Sequence, residues 1–374
     1  MTNTPTHITA ALQTAGKRIA QEKIPTWYAC KEVLYPVRLS MEQCSSEETA
    51  RYKAGLVQGE SLVDLTGGLG VDCYFLSQSF EQTTYVEQQA ELCLIAKHNF
   101  ACLKSNIEVV NACCQDYLPT MEAVDVIFID PARRDNKGGK VALLGDCTPN
   151  LLEIGDALLQ KCKTLLVKLS PMIDIDSVLK VFPGTYEVHI VAVKNECKEV
   201  LVCVKGVGSL GSSGTSTSSV TEGSDVRMVC ANLPIEGQPF VFTRHGEATC
   251  EIRYSHPLSY LYEPNAAILK AGAFKQIAAQ FGLYKLHVNS HLYTSDCLIE
   301  DFPGRKFCIQ RITKVQRKEI GNIEKANLSI RNFPGSVADL RKKLKLKDGG
   351  DTYIFATTLH NNSKALIVCN KLSK

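Results

Sequence analysis

Three groups of residues in this chain have the types and spacing for work on a nucleotide-like ligand. The stretch Asp64-Leu65-Thr66-Gly67-Gly68-Leu69-Gly70-Val71-Asp72 is a glycine-rich turn, preceded by an apolar run and followed by Cys73 to Ser79, which can open a helix. Glycines let a backbone approach a ligand closely, and a helix start offers unpaired N–H groups. Glu87 stands about 20 residues further on, the place for a carboxylate that accepts hydrogen bonds from ribose hydroxyls. Asp116 and the corner Asp130-Pro131-Ala132-Arg133-Arg134 follow, each after another apolar run. Proline fixes φ, so an acid followed by proline makes a rigid, polar corner.

The elements that must position these residues follow from the same pattern. Ser61 to Val63, Thr83 to Glu87, Ile107 to Asn111, Val124 to Asp130 and Thr164 to Leu169 read as strands, with helical stretches such as Gln89 to Lys104 and Asn150 to Lys161 between them. Strands alternating with helices predict a doubly wound parallel sheet of α/β class, with ligands bound at the carboxyl ends where the acids fall. Tyr186 to Val193 and Glu199 to Val204 are joined by five residues only, too few for a crossover helix, so this last pair is expected to be antiparallel.

A parallel sheet finished by an antiparallel hairpin, with glycines at 67, 68 and 70 instead of G-x-G-x-x-G, resembles the Rossmann-like class I S-adenosylmethionine-dependent methyltransferases. The resemblance implies S-adenosyl-L-methionine as cofactor. Asp64, Thr66, Gly67, Gly68 and Gly70 would surround its methionine part, Glu87 its ribose, and Asp116 its adenine amino group. The plainer alternatives are a solvated strand end for Glu87 and an Asx-type cap for Asp116.

Asp130-Pro131 occupies the place of the (D/N/S)-P-P-(Y/F) motif of the amino-methylating members, which makes Asp130, Pro131 and Arg133 the expected catalytic residues. An exocyclic amine on a base is a weak nucleophile, because its lone pair is delocalised into the ring. A carboxylate and a backbone carbonyl that accept its hydrogen bonds localise that lone pair and position it. The chain departs from the motif, with Ala132 for the second proline and Arg133 where an aromatic would stack. That weakens the case for adenine or guanine amino methylation. D-P-P-R occurs in the RNA uracil-C5 methyltransferases, which need a nucleophilic cysteine, but Cys147 and Cys162 lie in no nucleophile signature. Arg133 and Arg134 can hold a phosphate or stack on a base, or simply neutralise Asp135 and Asp146. Lys168, in an apolar strand, is costly to bury unpaired and is expected to meet an acid such as Asp130.

Composition narrows the class. The 374 residues leave room for two or three domains and contain no apolar run long enough to span a bilayer. The first residues lack a basic-then-apolar leader pattern. Sixteen cysteines are scattered without a C-x-x-C, which suits neither a zinc finger nor a disulfide framework. Reduced thiols in the cytoplasm, with no structural metal and no membrane partner, are the expectation. The net charge of +3 hides an asymmetry: residues 301–374 hold 16 Lys and Arg against 6 Asp and Glu. A basic tail on an acidic body is the footprint of a nucleic-acid partner.

The segments then read as follows: residues 1–55 an N-terminal helical cap, 56–205 the cofactor-binding domain, 206–224 a linker in which 15 of 19 residues are Gly, Ser or Thr, and 225–257 a β-rich extension with strand-like runs at Arg227 to Ala231, Phe240 to Thr243 and Thr249 to Tyr254. A helix is expected from Pro264 to Phe281. Ser336 should cap a helix through Leu344 that carries Arg341, Lys342 and Lys343, with Lys345 and Lys347 beyond; these five, with Arg134, are the candidate RNA contacts. The stretches Tyr262-Glu-Pro-Asn-Ala-Ala-Ile and Arg331-Asn-Phe-Pro-Gly-Ser-Val-Ala-Asp-Leu-Arg-Lys-Lys-Leu, with the motifs above, resemble bacterial class I methyltransferases carrying a C-terminal THUMP-like domain. The resemblance implies C-terminal small α+β domains, ferredoxin-like over 258–303 and basic and THUMP-like over 304–374, and methylation of a base in structured RNA, tRNA or rRNA. The alternatives are a protein or small-molecule acceptor, or a non-catalytic RNA-binding protein that keeps the fold.

Overall fold

The computed structural model describes residues 9–133, 144–207, 225–235 and 237–372. Arg134 and nearly all of the 206–224 linker lie outside them. The chain divides into two compact units, Met1–Arg227 and Met228–Lys374.

The first unit opens with four helices, α1 (Ala10–Lys23), α2 (Pro25–Ala29), α3 (Arg38–Gln43) and α4 (Glu47–Ala54). Pro25 suits the first turn of α2, where its missing N–H costs nothing. Trp27 is fully buried and meets Tyr74 edge-on at 5.9 Å, so it serves the core, as its place in an apolar cluster requires. Ser46 caps α4 by accepting a hydrogen bond from the Thr49 N–H at 3.2 Å.

Seven strands follow: β1 (Ser61–Asp64), β2 (Gln82–Glu87), β3 (Ile107–Asn111), β4 (Val124–Ile129), β5 (Cys162–Leu169), β6 (Thr185–Val193) and β7 (Glu196–Lys205). Their order is β3-β2-β1-β4-β5-β7-β6. The first five are parallel. β7 runs antiparallel to both β5 and β6. Lys194 and Asn195, both with φ positive, make the two-residue turn whose twist matches a hairpin. Helices α5 (Val71–Leu76), α6 (Ala90–Cys102), α7 (Cys114–Tyr117), α8 (Leu151–Gln160) and α9 (Ile175–Val181) fill the connections. Val126 to Ile129 and Leu165 to Val167 are buried throughout, as strands covered on both faces must be. The α/β fold with its antiparallel terminal hairpin and helical cap is the one expected.

β8 (Arg227–Leu233) starts at the last residue of the first unit, and β9 (Phe240–Thr243) and α10 (Arg244–Thr249) follow in the second. The strand expected over Thr249 to Tyr254 does not form. Thr243 Oγ1 instead caps α10 through the Gly246 N–H at 3.1 Å. Glu247, within that helix, accepts from the N–H groups of Phe274, Lys275 and Gln276 at 2.8–2.9 Å. Local polar bonds win over strand propensity there.

Seven further strands, β10 (Tyr260–Pro264), β11 (Tyr284–Lys285), β12 (Tyr293–Ser295), β13 (Gly304–Thr313), β14 (Asn327–Arg331), β15 (Thr352–Thr358) and β16 (Lys364–Lys371), form one sheet in the order β11-β12-β10-β13-β16-β15-β14. The single helix expected from Pro264 to Phe281 is two, α11 (Ala266–Ala271) and α12 (Gln276–Gln280), because Gly272 turns left-handed (φ +79) and ends the first. The 258–303 and 304–374 segments share this sheet through β10 and β13. Buried Glu263 pairs with Arg305 and, at 2.5 Å, with Arg331. The C-terminal helix α13 (Val337–Leu344) is capped by Ser336 and buries Leu340 and Leu344.

Candidate active site

At the carboxyl ends of the parallel strands the first unit holds a cleft of about 600 Å3. Its floor is the glycine turn, and the turn rests on one aromatic side chain. Tyr85, the neighbour of Asp64 across β1 and β2, lies under Gly67 so closely that a Cβ there would enter its ring. The Tyr85 hydroxyl donates to the Gly68 carbonyl at 2.5 Å, and its ring meets Phe100 edge-on. A Cβ on Gly70 would come within 2.8 Å of Phe100, and Gly70 has φ +89. Gly68 is different. With φ +55 it needs glycine for its backbone, yet the nearest atom to an added Cβ is 3.8 Å away, so its missing side chain leaves open cleft.

Two carboxylates frame this loop. Glu87 is buried; one oxygen accepts from the Gly68 N–H at 3.0 Å and the other from the Gln89 N–H at 2.8 Å. Asp64 is 1 % exposed. Its Oδ1 accepts from the Thr66 N–H at 3.0 Å, while its buried Oδ2 has no hydrogen-bond partner among the described residues. Burial, reinforced by the nearby carboxylates of Asp72 and Asp130, holds the Asp64 pKa well above the usual range. Thr66 ties this loop to the second corner, since its Oγ1 accepts from the Asp130 N–H at 2.6 Å.

Behind Asp130 lies a buried ionic network that connects the sheet to the helical cap. Lys168 on β5 donates to Asp130 Oδ2 at 2.6 Å, Ser45 Oγ at 3.0 Å and Asp72 Oδ2 at 3.2 Å. Fully buried Lys53 of α4 donates to both oxygens of Glu199 at 2.7 and 2.8 Å, and lies 3.2 Å from Asp72 Oδ1. Burial opposes charge here and prevails at Glu199, whose pKa it raises, but at Lys168 and Asp72 the partners prevail. Lys168 is held well above the lysine range by Asp130, Asp72 and Glu199, and Asp72 is pushed down to about 2 by Lys168 and Lys53. Asp130 is presented to the cleft, 38 % exposed, with one oxygen held by Lys168.

The geometry sorts the expected residues. Asp64, Thr66, Gly67, Gly68, Gly70, Glu87, Asp130 and Pro131 all line the cleft. Lys168 meets Asp130, as its cost of burial required. Asp116 does not line it: it is exposed on the one-turn helix α7, whose rotation turns Cys114 and Gln115 to the cleft instead. The Arg133 backbone pairs with Cys147, and the Arg133 side chain lies outside the described residues, as Arg134 does. Arg341 forms an ion pair with Asp348 at 2.5 Å. Lys345 caps α13 with φ +51, so it does not share a helix face with Arg341. Lys342, Lys343, Lys345 and Lys347 are exposed. The sequence pattern did not reveal Ser45, Lys53 and Glu199. A signal for Lys53 was present, since it shares a helical face with Thr49 and Ala50, which are buried.

Residues 260–303 match a ferredoxin-like domain family and residues 304–371 a THUMP domain-like family. Two Mycobacterium tuberculosis proteins, from strains CDC 1551 and H37Rv, each named an uncharacterized S-adenosylmethionine-dependent methyltransferase, are 23% identical over 248 residues, 66% of this chain. The match spans 62% of those relatives' own length. A crystal structure from Porphyromonas gingivalis W83, assigned as a methyltransferase, superposes with a TM-score of 0.84 at 35% identity, over 97% of this chain and 90% of that one. The chain belongs to the family of S-adenosylmethionine-dependent methyltransferases with a C-terminal THUMP-like domain.

Proposed function

We propose that this chain transfers a methyl group from S-adenosyl-L-methionine to a base of structured RNA, tRNA or rRNA. The observation that carries the cofactor assignment is the buried, unpartnered Oδ2 of Asp64 beside a loop whose Gly68 leaves open space. A buried polar atom without a partner is costly, and the ammonium of a bound methionine moiety answers it. Glu87 keeps unused lone pairs for ribose hydroxyls, and Gln115 replaces Asp116 as the residue for the adenine end. The cofactor supplies an electrophilic methyl carried on a sulfonium.

The chain's own residues then orient the acceptor. Asp130 accepts hydrogen bonds from the target N–H through the oxygen that Lys168 leaves free, and the Pro131 turn fixes the neighbouring carbonyl. Lys168 holds one Asp130 oxygen, which leaves the other to accept from the target. The surplus of basic residues in 301–374 and the exposed Lys342, Lys343, Lys345 and Lys347 support RNA as the acceptor. Ala132 in place of a second proline favours a base other than the amino-methylated adenine or guanine, or a protein acceptor.

The test uses purified protein, labelled cofactor and RNA from cells that lack the gene. Wild type should label RNA. Asp130→Ala should keep cofactor affinity while losing roughly 10²-fold or more in transfer. An equal loss of binding and turnover would move Asp130 into the cofactor shell, and label in protein alone would replace RNA as the acceptor.

A further inference from the structure

Away from the cleft, the hairpin of β6 and β7 gathers three side chains of metal-ligating type. Glu187 and His189 are two residues apart on β6 and so project from one face of the sheet. Cys203 is the direct neighbour of Glu187 across the hairpin. The register shifts between Thr185 and Glu187, leaving Tyr186 as an extra residue, and such bulges re-aim side chains. As a result a carboxylate oxygen, an imidazole nitrogen and a thiol sulfur all lie within 4.8 Å of one another.

The spacing of these atoms fits a shared centre. His189 is 4 % exposed, and among the described residues its buried Nε2 has no hydrogen-bond partner, although it lies 3.1 Å from Glu187 Oε2. At that spacing the two groups also pair with each other, and the distance is near the edge of a tetrahedron built from metal bonds of about 2.0–2.2 Å. His189 and Glu187 each also have an outer partner. His189 Nδ1 meets the Tyr52 hydroxyl at 2.8 Å, and Glu187 gives its other oxygen, Oε1, to Arg227. Support of this kind for a ligating imidazole and carboxylate is what orients metal ligands.

We propose that Glu187, His189 and Cys203 bind a divalent transition-metal ion, zinc above all, with water in the fourth position. One thiolate, one imidazole and one carboxylate suit zinc over the hard cations magnesium and calcium, which take oxygen ligands. Binding forms a metal–sulfur bond and releases the Cys203 thiol proton to solvent. The ion would fasten the hairpin to α4 through His189 and Tyr52. The next residue of α4, Lys53, is the one that holds Glu199 and Asp72 at the cleft. The site is independent of the methyl-transfer reading, and its test does not use activity.

The experiment is metal analysis of the untagged full-length protein, with cobalt(II) titration as a spectroscopic probe. About one zinc per chain should survive dialysis, and cobalt(II) should give the near-ultraviolet charge-transfer band of a thiolate ligand. Cys203→Ser should lose the band and the zinc. Glu187→Gln, at a half-buried position that tolerates the change, should keep the fold and weaken zinc by at least about tenfold. A wild-type protein that retains no zinc and shows no cobalt band would overturn the proposal. So would a folded Glu187→Gln variant with unchanged zinc affinity, which would leave Glu187 and His189 as a plain polar pair.

Discussion

Asp64, Glu87 and Asp72 lie at one cleft, yet their surroundings give them three different tasks. Glu87 holds the glycine loop through Gly68 and presents its remaining lone pairs to the cleft. Glu87→Ala therefore removes charge-assisted hydrogen bonds of about 1.5–3 kcal/mol, and calorimetric titration should show cofactor affinity lowered about ten- to a hundredfold. An unchanged affinity in a folded variant would remove Glu87 from the site. Asp72 serves stability. Its carboxyl is pushed down to about 2 from the usual 3.8 by Lys168 and Lys53, with Ser45 donating to it. Its contribution is complete above the unfolded value and is lost as pH falls through about 4 toward about 2. On the order of 2 kcal/mol of unfolding free energy should vanish between pH 5 and pH 2 beyond what the Asp72→Asn variant loses, as read by urea titration. Asp64 works in the opposite direction, because burial holds its pKa up and penalises its charged form.

At the scale of elements, the cap helix α4 and strand β7 are joined by Lys53 and Glu199, 146 residues apart. Removing one member leaves the other as a buried, uncompensated charge. Lys53→Met should cost about 3–5 kcal/mol in chemical denaturation, and Lys53→Met with Glu199→Leu should recover much of it. A double variant no more stable than the single one would show that packing, and not charge, is what Lys53 supplies. This pair also marks the limit of what was legible. Alternation of apolar runs and helices was enough to place β1 to β7 and their direction, because burial on both faces leaves a continuous apolar signature. It was enough to put Asp64, Glu87 and Asp130 at one end of the sheet. It did not decide which side of one-turn α7 faces the cleft, since Asp116 and Gln115 differ only by a helix rotation. Pairings such as Lys53 with Glu199, or Arg341 with Asp348, are set by tertiary approach and leave no local mark.

At the scale of the whole molecule, the catalytic cleft belongs to the first unit and the basic surplus to the second. The ferredoxin-like and THUMP-like segments share a sheet through β10 and β13, so deleting residues 301–374 would strip β10 of one of its two partners. Charge substitution is the cleaner probe. Changing Lys342, Lys343, Lys345 and Lys347 together to Glu should weaken RNA binding and lower the salt slope by about one for each phosphate that is no longer neutralised, while cofactor affinity stays unchanged. An unaltered slope would assign these lysines to solvent. The central claim, that the chain methylates a base of RNA, is tested most directly by mass spectrometry of nucleosides from total tRNA and rRNA with and without the gene. One methylated nucleoside should disappear on deletion, return with the wild-type gene, and fail to return with Asp130→Ala. A full set of methylated nucleosides in the deletion strain would contradict the claim.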